Sequence, residues 1–176
     1  MFTIRPAPRS RIRVAAARVS TKTAVSYSSF QARGASSYAM YLSGASSNTF
    51  TVVLASNTVG GGAQLNEGGY NTISFSTLTS NTVGSAFALN FAGSDSNTVT
   101  GSYIFSAFNH AVRIDSDGDY NTIRQSTMVS NSSGGVAPLA LVAAAYNTVT
   151  ESLLLNPLGC NVRISGPSQN TTISFS

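Results

Sequence analysis

The sequence predicts an all-β fold, a parallel β-helix of about six stacked coils with 23–26 residues per coil. Three observations predict it. The first is a repeat: Tyr70-Asn71-Thr72-Ile73-Ser74-Phe75-Ser76-Thr77-Leu78 returns as Tyr120-Asn121-Thr122-Ile123-Arg124-Gln125-Ser126-Thr127-Met128, with half-step copies from Asn97 and Asn147. The Asn of the recurring Asn-Thr pair falls at Asn48, Asn71, Asn97, Asn121, Asn147 and Asn170, in steps of 23, 26, 24, 26 and 23 residues. The second is the spacing inside a unit. Phe50, Ile73, Val99, Ile123 and Val149 form one apolar column, and Leu78, Ile104, Met128 and Leu154 form another five residues on. Between them runs an all-serine column of Ser76, Ser102, Ser126 and Ser152. Steps of three and then two do not make a helical face; they fit short strands of about two to five residues with a bend before the serine. The third is composition, since abundant Ser, Thr, Asn and Gly draw the backbone away from helix.

Taken in order, residues 1–21 do not match the repeat and form a basic N-terminal segment, a candidate cap over the first coil. Phe2-Thr3-Ile4 reads as a strand, Pro6 and Pro8 end it, and Arg11 to Arg18 read as a short basic helix. Arg13 and Arg18 interrupt the apolar core that a secretory signal requires. Residues 22–176 are the predicted β-helix. Residues 22–47 are a worn coil in which Val25, Tyr27, Ser28 and Phe30 track Ile73, Phe75, Ser76 and Leu78, and Tyr38, Met40 and Leu42 match Phe87, Leu89 and Phe91. Lys22-Thr23 stands where later coils carry Asn-Thr. The coils from Asn48, Asn71, Asn97, Asn121 and Asn147 come next, the longer ones holding extra residues near Gly84-Ser85 and Ser133-Gly134. Alternation turns Gln64, Arg113 and Arg163 outward from Ala63-Gln64-Leu65, Val112-Arg113-Ile114 and Val162-Arg163-Ile164. Gly60-Gly61-Gly62 and Glu67-Gly68-Gly69 are expected to supply positive-φ corners. Residues 170–176 repeat the opening of a coil, so the C-terminal end is expected to be open, covered by further β-helix coils or by self-association.

Charged residues make up 9% of the chain and hydrophobic residues 42%, a balance opposite to that of disordered segments. Seven of the ten basic residues precede position 34, and the six acidic residues all lie in the repeats. The net charge of +4 is therefore not a basic stripe along the rod, and nucleic-acid binding is excluded as a reading. No apolar run reaches the length of a transmembrane segment, about 18 residues. Cys160 has no partner for an internal disulfide and reads as a buried or half-buried small side chain. The sole histidine, His110, is two coils away, which removes a thiol–imidazole pair from consideration.

The recurring Asn-Thr-[Ile/Val]-x-x-Ser-x-[Leu/Ile/Met] over residues 22–176 resembles the parallel β-helix repeat family, whose units often read Asn-x-Ile-x-x-Asn-x-Ile. That family includes the pectate-lyase-like right-handed superfold and bacterial cell-surface Asn-Thr repeat proteins. The resemblance implies a right-handed coil, an extracellular or cell-surface location, and polysaccharide as a partner. It also requires a search for catalysis, because many such proteins act on polysaccharides. By resemblance, a polygalacturonase would show Asn-Thr-Asp, Gly-His-Gly and Arg-Ile-Lys. Here every Asn-Thr is followed by an apolar residue or Thr, His110 lies in Asn109-His110-Ala111, and Arg113-Ile114-Asp115 lacks the lysine.

One polar concentration stands out. Asn109, His110 and Arg113 are candidate ligand contacts, and Asp115-Ser116-Asp117-Gly118-Asp119 offers Asp115, Asp117 and Asp119 as candidate calcium ligands. The loop departs from an EF-hand, since Gly118 precedes the third acid and Ser126 occupies the place of the bidentate Glu. The expectation is therefore no cofactor and an Asp/Gly corner that turns the chain. Asn48, Asn71, Asn97, Asn121, Asn147 and Asn170 are expected to stack as a structural amide ladder. The expected function is a non-catalytic structural or adhesive repeat segment of a secreted or cell-surface protein. The alternative is a carbohydrate-binding or polysaccharide-degrading β-helix protein, which needs a pair of carboxylates on one face.

Overall fold

A computed structural model describes residues 2–4, 21–35, 37–82, 84 and 86–175. Its described strands run parallel and stack coil upon coil in three faces. The first face holds Thr72–Ser74, Thr98–Thr100, Thr122–Arg124, Thr148–Thr150 and Thr172–Ser174. The second holds Thr77–Ser80, Tyr103–Ser106, Thr127–Ser130 and Leu153–Leu155. The third holds Tyr38–Ser43, Gly61–Asn66, Leu89–Ala92, Val112–Asp115, Leu139–Val142 and Val162–Ser165. Two long strands, Thr23–Ala32 and Thr49–Asn57, run through both the first and second faces and join them into one sheet. They exceed the short strands expected from the spacing, which the later coils do show; the corner between the two faces is a single residue. That residue takes a left-handed backbone in every coil: Tyr27, Val52, Phe75, Gly101, Gln125 and Glu151, with φ between 50° and 57°. One such residue turns the strand without breaking the ladder on either side.

Register places like above like. Phe50, Ile73, Val99, Ile123 and Val149 align on the first face, Ala55, Leu78, Ile104, Met128 and Leu154 on the second, and Leu65, Phe91, Ile114 and Leu141 on the third. All of these side chains are buried and fill one continuous core. Each fully buried aliphatic or aromatic side chain contributes about 1.5–3 kcal/mol by leaving water. The outward positions of the first face are chiefly threonines, whereas the second face also turns Tyr103, Phe105, Val129, Leu153 and Leu155 away from the core, so the same strands supply both core and surface.

The polar columns are satisfied along the rod axis. Asn48, Asn71 and Asn97 each donate both backbone N–H and Nδ2 to the Oδ1 of the next Asn, at 2.9–3.0 Å. Asn121 donates its N–H to Asn147 Oδ1 at 2.8 Å. The serine column behaves likewise. Ser76, Ser102 and Ser126 donate their N–H to the hydroxyl of the next serine, and each hydroxyl donates to the carbonyl two residues earlier. Full pairing lets these groups lie in the interior at no net desolvation penalty.

Several expectations are corrected by the register. Thr148 pairs with Thr172, so Thr171 continues the column of Asn147, and Asn170 lies above Tyr146 outside the ladder. The last step is thus one residue longer than the Asn-Thr pair indicates. At the other end Ala24 pairs with Thr49, which puts Thr23-Ala24, not Lys22-Thr23, at the Asn-Thr place; Thr23 N–H donates to Asn48 Oδ1. Gly60, Gly61, Gly62, Gly68 and Gly69 have no positive φ; Glu67 does. Those glycines are required by close packing, since a Cβ on Gly61 would stand 2.1 Å from the Tyr38 ring and one on Gly68 2.2 Å from Ala45 O. Cys160 is exposed, with Sγ 3.6 Å from Val136 O of the preceding coil, because no described residue packs over its outer side. The N-terminal basic segment expected over 1–21 lies outside the described residues except for Thr21 and for Phe2–Ile4, which pairs parallel with Thr23–Val25. Among the described residues no helix is long and apolar enough to cross a membrane, which says nothing of strands crossing one as a barrel.

Candidate functional site

The polar concentration seen in the sequence does not assemble into one site. Asn109 spans the second corner, donating Nδ2 to Gly84 O at 2.7 Å and accepting His110 N–H at 2.8 Å. His110 is buried, and its Nδ1 accepts Ala137 N–H at 3.0 Å while also lying 2.8 Å from Ala137 O. The Phe87 ring packs 5.9 Å away. Burial pushes the imidazole below its ordinary value, and the Arg113 and Arg163 charges act in the same direction. The Ala137 backbone bond opposes that shift; with Nδ1 engaged by Ala137 on one side and the ring against Phe87 on the other, His110 ties the two longer coils together.

On the outside of the third face, Arg113 Nε lies 2.7 Å from Asp115 Oδ2, and its guanidinium sits 5.0 Å over the Phe87 ring. Burial raises the Asp115 carboxyl, opposed by Arg113. Tyr38 is raised as well, chiefly by burial, with the Phe87 backbone and the Asn90 side chain acting in the opposite direction. Asp117 and Asp119 belong to a different place, the third corner, which connects the third face to the first. Asp119 Oδ1 accepts Ala145 N–H at 2.7 Å. No three His, Cys, Asp or Glu side chains converge as metal ligands among the described residues.

The third corner carries the more coherent surface. It is built like the first, around one residue of left-handed backbone per coil: Lys22, Ser47, Tyr70, Ser96, Tyr120, Tyr146 and Asn170, with φ from 51° to 64°. Each stands just before the buried ladder position, so its side chain is carried outward while the next is carried in. Tyr70, Tyr120 and Tyr146 are consequently exposed, at 72%, 58% and 46%. Tyr120 and Tyr146 stack at 4.9 Å with planes 6° apart, the spacing of adjacent coils. Between Tyr70 and Tyr120 the column holds Ser96, and there a cleft of about 450 Å³ opens, lined by Ser46, Glu67, Tyr70, Asp95, Ser96 and Tyr120 with the glycines Gly68, Gly69 and Gly93.

Glu67 and Asp95 are exposed at this cleft. Asp95 Oδ1 accepts Asp119 N–H at 2.8 Å, which fixes the carboxylate against the next coil. Ser46 Oγ accepts Gly69 N–H at 3.2 Å. The glycines let three coils approach closely beneath the opening, since a Cβ on Gly69 would meet Asp95 O at 2.9 Å and one on Gly93 would meet Ser116 O at 3.2 Å. The arrangement can hold a ring between aromatic walls and accept hydrogen bonds from its hydroxyls. Sequence reasoning missed these residues. The signal was the tyrosine preceding Asn71, Asn121 and Asn147 and its replacement by Ser96 before Asn97, a pattern readable only once that column is known to face outward.

Among solved structures, the chain is similar to the DFA-IIIase from Arthrobacter chlorophenolicus A6 in complex with GF2, at 12% identity and a TM-score of 0.58. The match covers 88% of this chain and 48% of that enzyme, so the chain spans about half the enzyme's length. At that identity the likeness is one of fold. A comparison with curated proteins gives no match. The family model described as "Right handed beta helix region" matches residues 15–175, nearly the whole chain. The chain belongs to the right-handed β-helix family.

Proposed function

We propose that this chain is a non-catalytic, glycan-binding segment of an extracellular or cell-surface β-helix protein. The observation that carries the reading is the third corner, where exposed tyrosines border a polar cleft on an otherwise regular rod. Amphipathic rings over an open cleft suit a ligand with both C–H faces and hydroxyls. The distribution of carboxylates supports binding over cleavage. Asp115 is tied to Arg113, and Asp95 and Asp119 each hold a backbone N–H of the next coil. A general acid and a general base need freedom to exchange protons with the reacting bond. The fold shared with a carbohydrate-processing enzyme is compatible with this reading and does not by itself carry it.

A second reading, a glycan-cleaving enzyme, is favoured by one feature: Glu67 and Asp95 line the same cleft. One experiment separates the two. The protein is incubated with neutral and uronic-acid oligosaccharides, with binding followed by ligand-observed NMR and products by mass spectrometry. Binding without product supports the proposal. Product formation that disappears in both Glu67→Gln and Asp95→Asn would establish the enzyme instead, and no binding to any glycan would end both readings.

A further inference from the structure

We propose that the gap at Ser96 is a slot for a single pyranose ring of a neutral, equatorially substituted glycan of the β-glucan type, clamped between Tyr70 and Tyr120. This inference rests on the glycan-binding reading and adds its site and ligand class. Tyr120 and Tyr146, one coil apart, stack directly at 4.9 Å. Tyr70 and Tyr120 are two coils apart, a rise of about 10 Å along the axis, because Ser96 stands between them. A ring held at van der Waals contact needs about 3.5–4 Å to carbon on each side. An aromatic plane would rattle in such a gap, whereas the greater thickness of a sugar chair fills it. The inserted ring would then continue the Tyr120–Tyr146 stack toward Tyr70.

Both faces of the ring must present C–H groups to tyrosine, which requires equatorial hydroxyls. Those hydroxyls then point sideways, where Glu67 and Asp95 can accept hydrogen bonds from them, with the Ser46 and Ser96 hydroxyls beneath. Charge selects among sugars. Four of the six acidic residues in the chain, Glu67, Asp95, Asp117 and Asp119, stand on this corner, and the third-corner residues from 44 to 48, 67 to 71, 93 to 97 and 116 to 121 include no Lys or Arg. A uronate would meet like charge at short range, and a neutral sugar would not.

The column supplies its own test. Three of its positions already carry Tyr at φ 56–57°, and Ser96 has φ 56°. Ser96→Tyr should therefore complete the stack and close the slot without disturbing the fold. Tyr70→Ser removes one wall with a residue native to Ser47 and Ser96 in the same column. Binding of cellopentaose and of pentagalacturonate is measured by NMR titration, with urea midpoints as the control for folding. The expected result is cellopentaose binding stronger than pentagalacturonate binding by about tenfold, and lost by about tenfold or more in both variants at unchanged midpoints. Cellopentaose binding that is unaltered in a folded Ser96→Tyr protein would overturn the slot and leave the glycan-binding reading standing. A preference for pentagalacturonate would overturn the assigned ligand class. Failure of the wild-type protein to bind any glycan would overturn the broader reading, and the slot with it.

Discussion

Replacing Asn97 with alanine tests whether the amide ladder holds the rod together. Asn97 Oδ1 accepts Asn71 N–H at 2.9 Å and Asn71 Nδ2 at 3.0 Å, and Asn97 Nδ2 donates to Asn121 Oδ1 at 3.0 Å. Asn97→Ala removes all three bonds, but their losses are unequal. Asn71 Nδ2 keeps Ala45 O at 2.9 Å, and Asn121 Oδ1 keeps the backbone N–H of residue 97 at 2.9 Å. Asn71 N–H keeps no acceptor and lies in a residue only 1% exposed. An orphaned buried donor costs about 1–3 kcal/mol, and each of the two partly compensated bonds about 0.5–1.5 kcal/mol. The expected loss is roughly 2–6 kcal/mol, a large fraction of a domain's net stability. Urea unfolding followed by far-ultraviolet circular dichroism and by tyrosine fluorescence measures it. The two probes must coincide, because stacked coils can unfold in parts. Thr98→Ala, one residue away on the outer side of the strand, serves as the control and should change stability by no more than about 0.5 kcal/mol. A loss below about 1 kcal/mol for Asn97→Ala would show that water or a backbone shift satisfies Asn71, and the energetic argument for the ladder would fail.

Ser102→Ala should cost about 1–3 kcal/mol in the same assay, because Ser76 N–H loses its only acceptor, the Ser102 hydroxyl at 3.1 Å; a neutral result would make the serine column ornamental. His110 gives a pH signature with a definite sign. Its folded value is lowered by burial, so the unfolded chain binds the proton more readily. Its contribution is present above the ordinary value of about 6.5 and is lost as pH falls below that value toward the folded one. Urea midpoints between about pH 8 and 5 should fall more steeply for the wild type than for His110→Gln, and parallel profiles would refute the buried neutral imidazole. Asp115, raised by burial, has the opposite slope nearer the carboxylate range, and the comparison at fixed pH cancels it. Cys160 should react with a thiol reagent in the native protein at the same rate as in urea; strong protection would contradict its exposure.

The architecture is legible in the sequence because a solenoid repeats its constraints. Each coil needs an apolar residue where Ile73 stands, an acceptor where Asn71 stands and a hydroxyl where Ser76 stands, so five or six copies of a weak signal add up to a strong one. The same logic fails at the ends. Asn170-Thr171 imitates the motif, but β pairing aligns Thr171 with Asn147, since what fixes register is the run of backbone hydrogen bonds and the burial of Ile173, not the identity of the corner residue. The glycine-rich corners mislead for a related reason. Composition shows that a side chain is missing but not why, and only the neighbouring coil reveals that Tyr38 or Ala45 occupies the space.

The candidate site depended on tertiary structure more heavily still. Asn109, His110, Arg113, Asp115, Asp117 and Asp119 are close in sequence, yet a coil of about two dozen residues distributes its chain over three faces, and neighbours ten residues apart separate onto different sides. Conversely, Tyr70, Ser96 and Tyr120 are 26 and 24 residues apart and share one edge. The sequence by itself determined the period, the core columns and the polar ladders, because those arise from local pattern multiplied by repetition. Only the tertiary structure decided which residues meet across coils, because in a stacked fold proximity is set by the coil's circumference and not by distance along the chain.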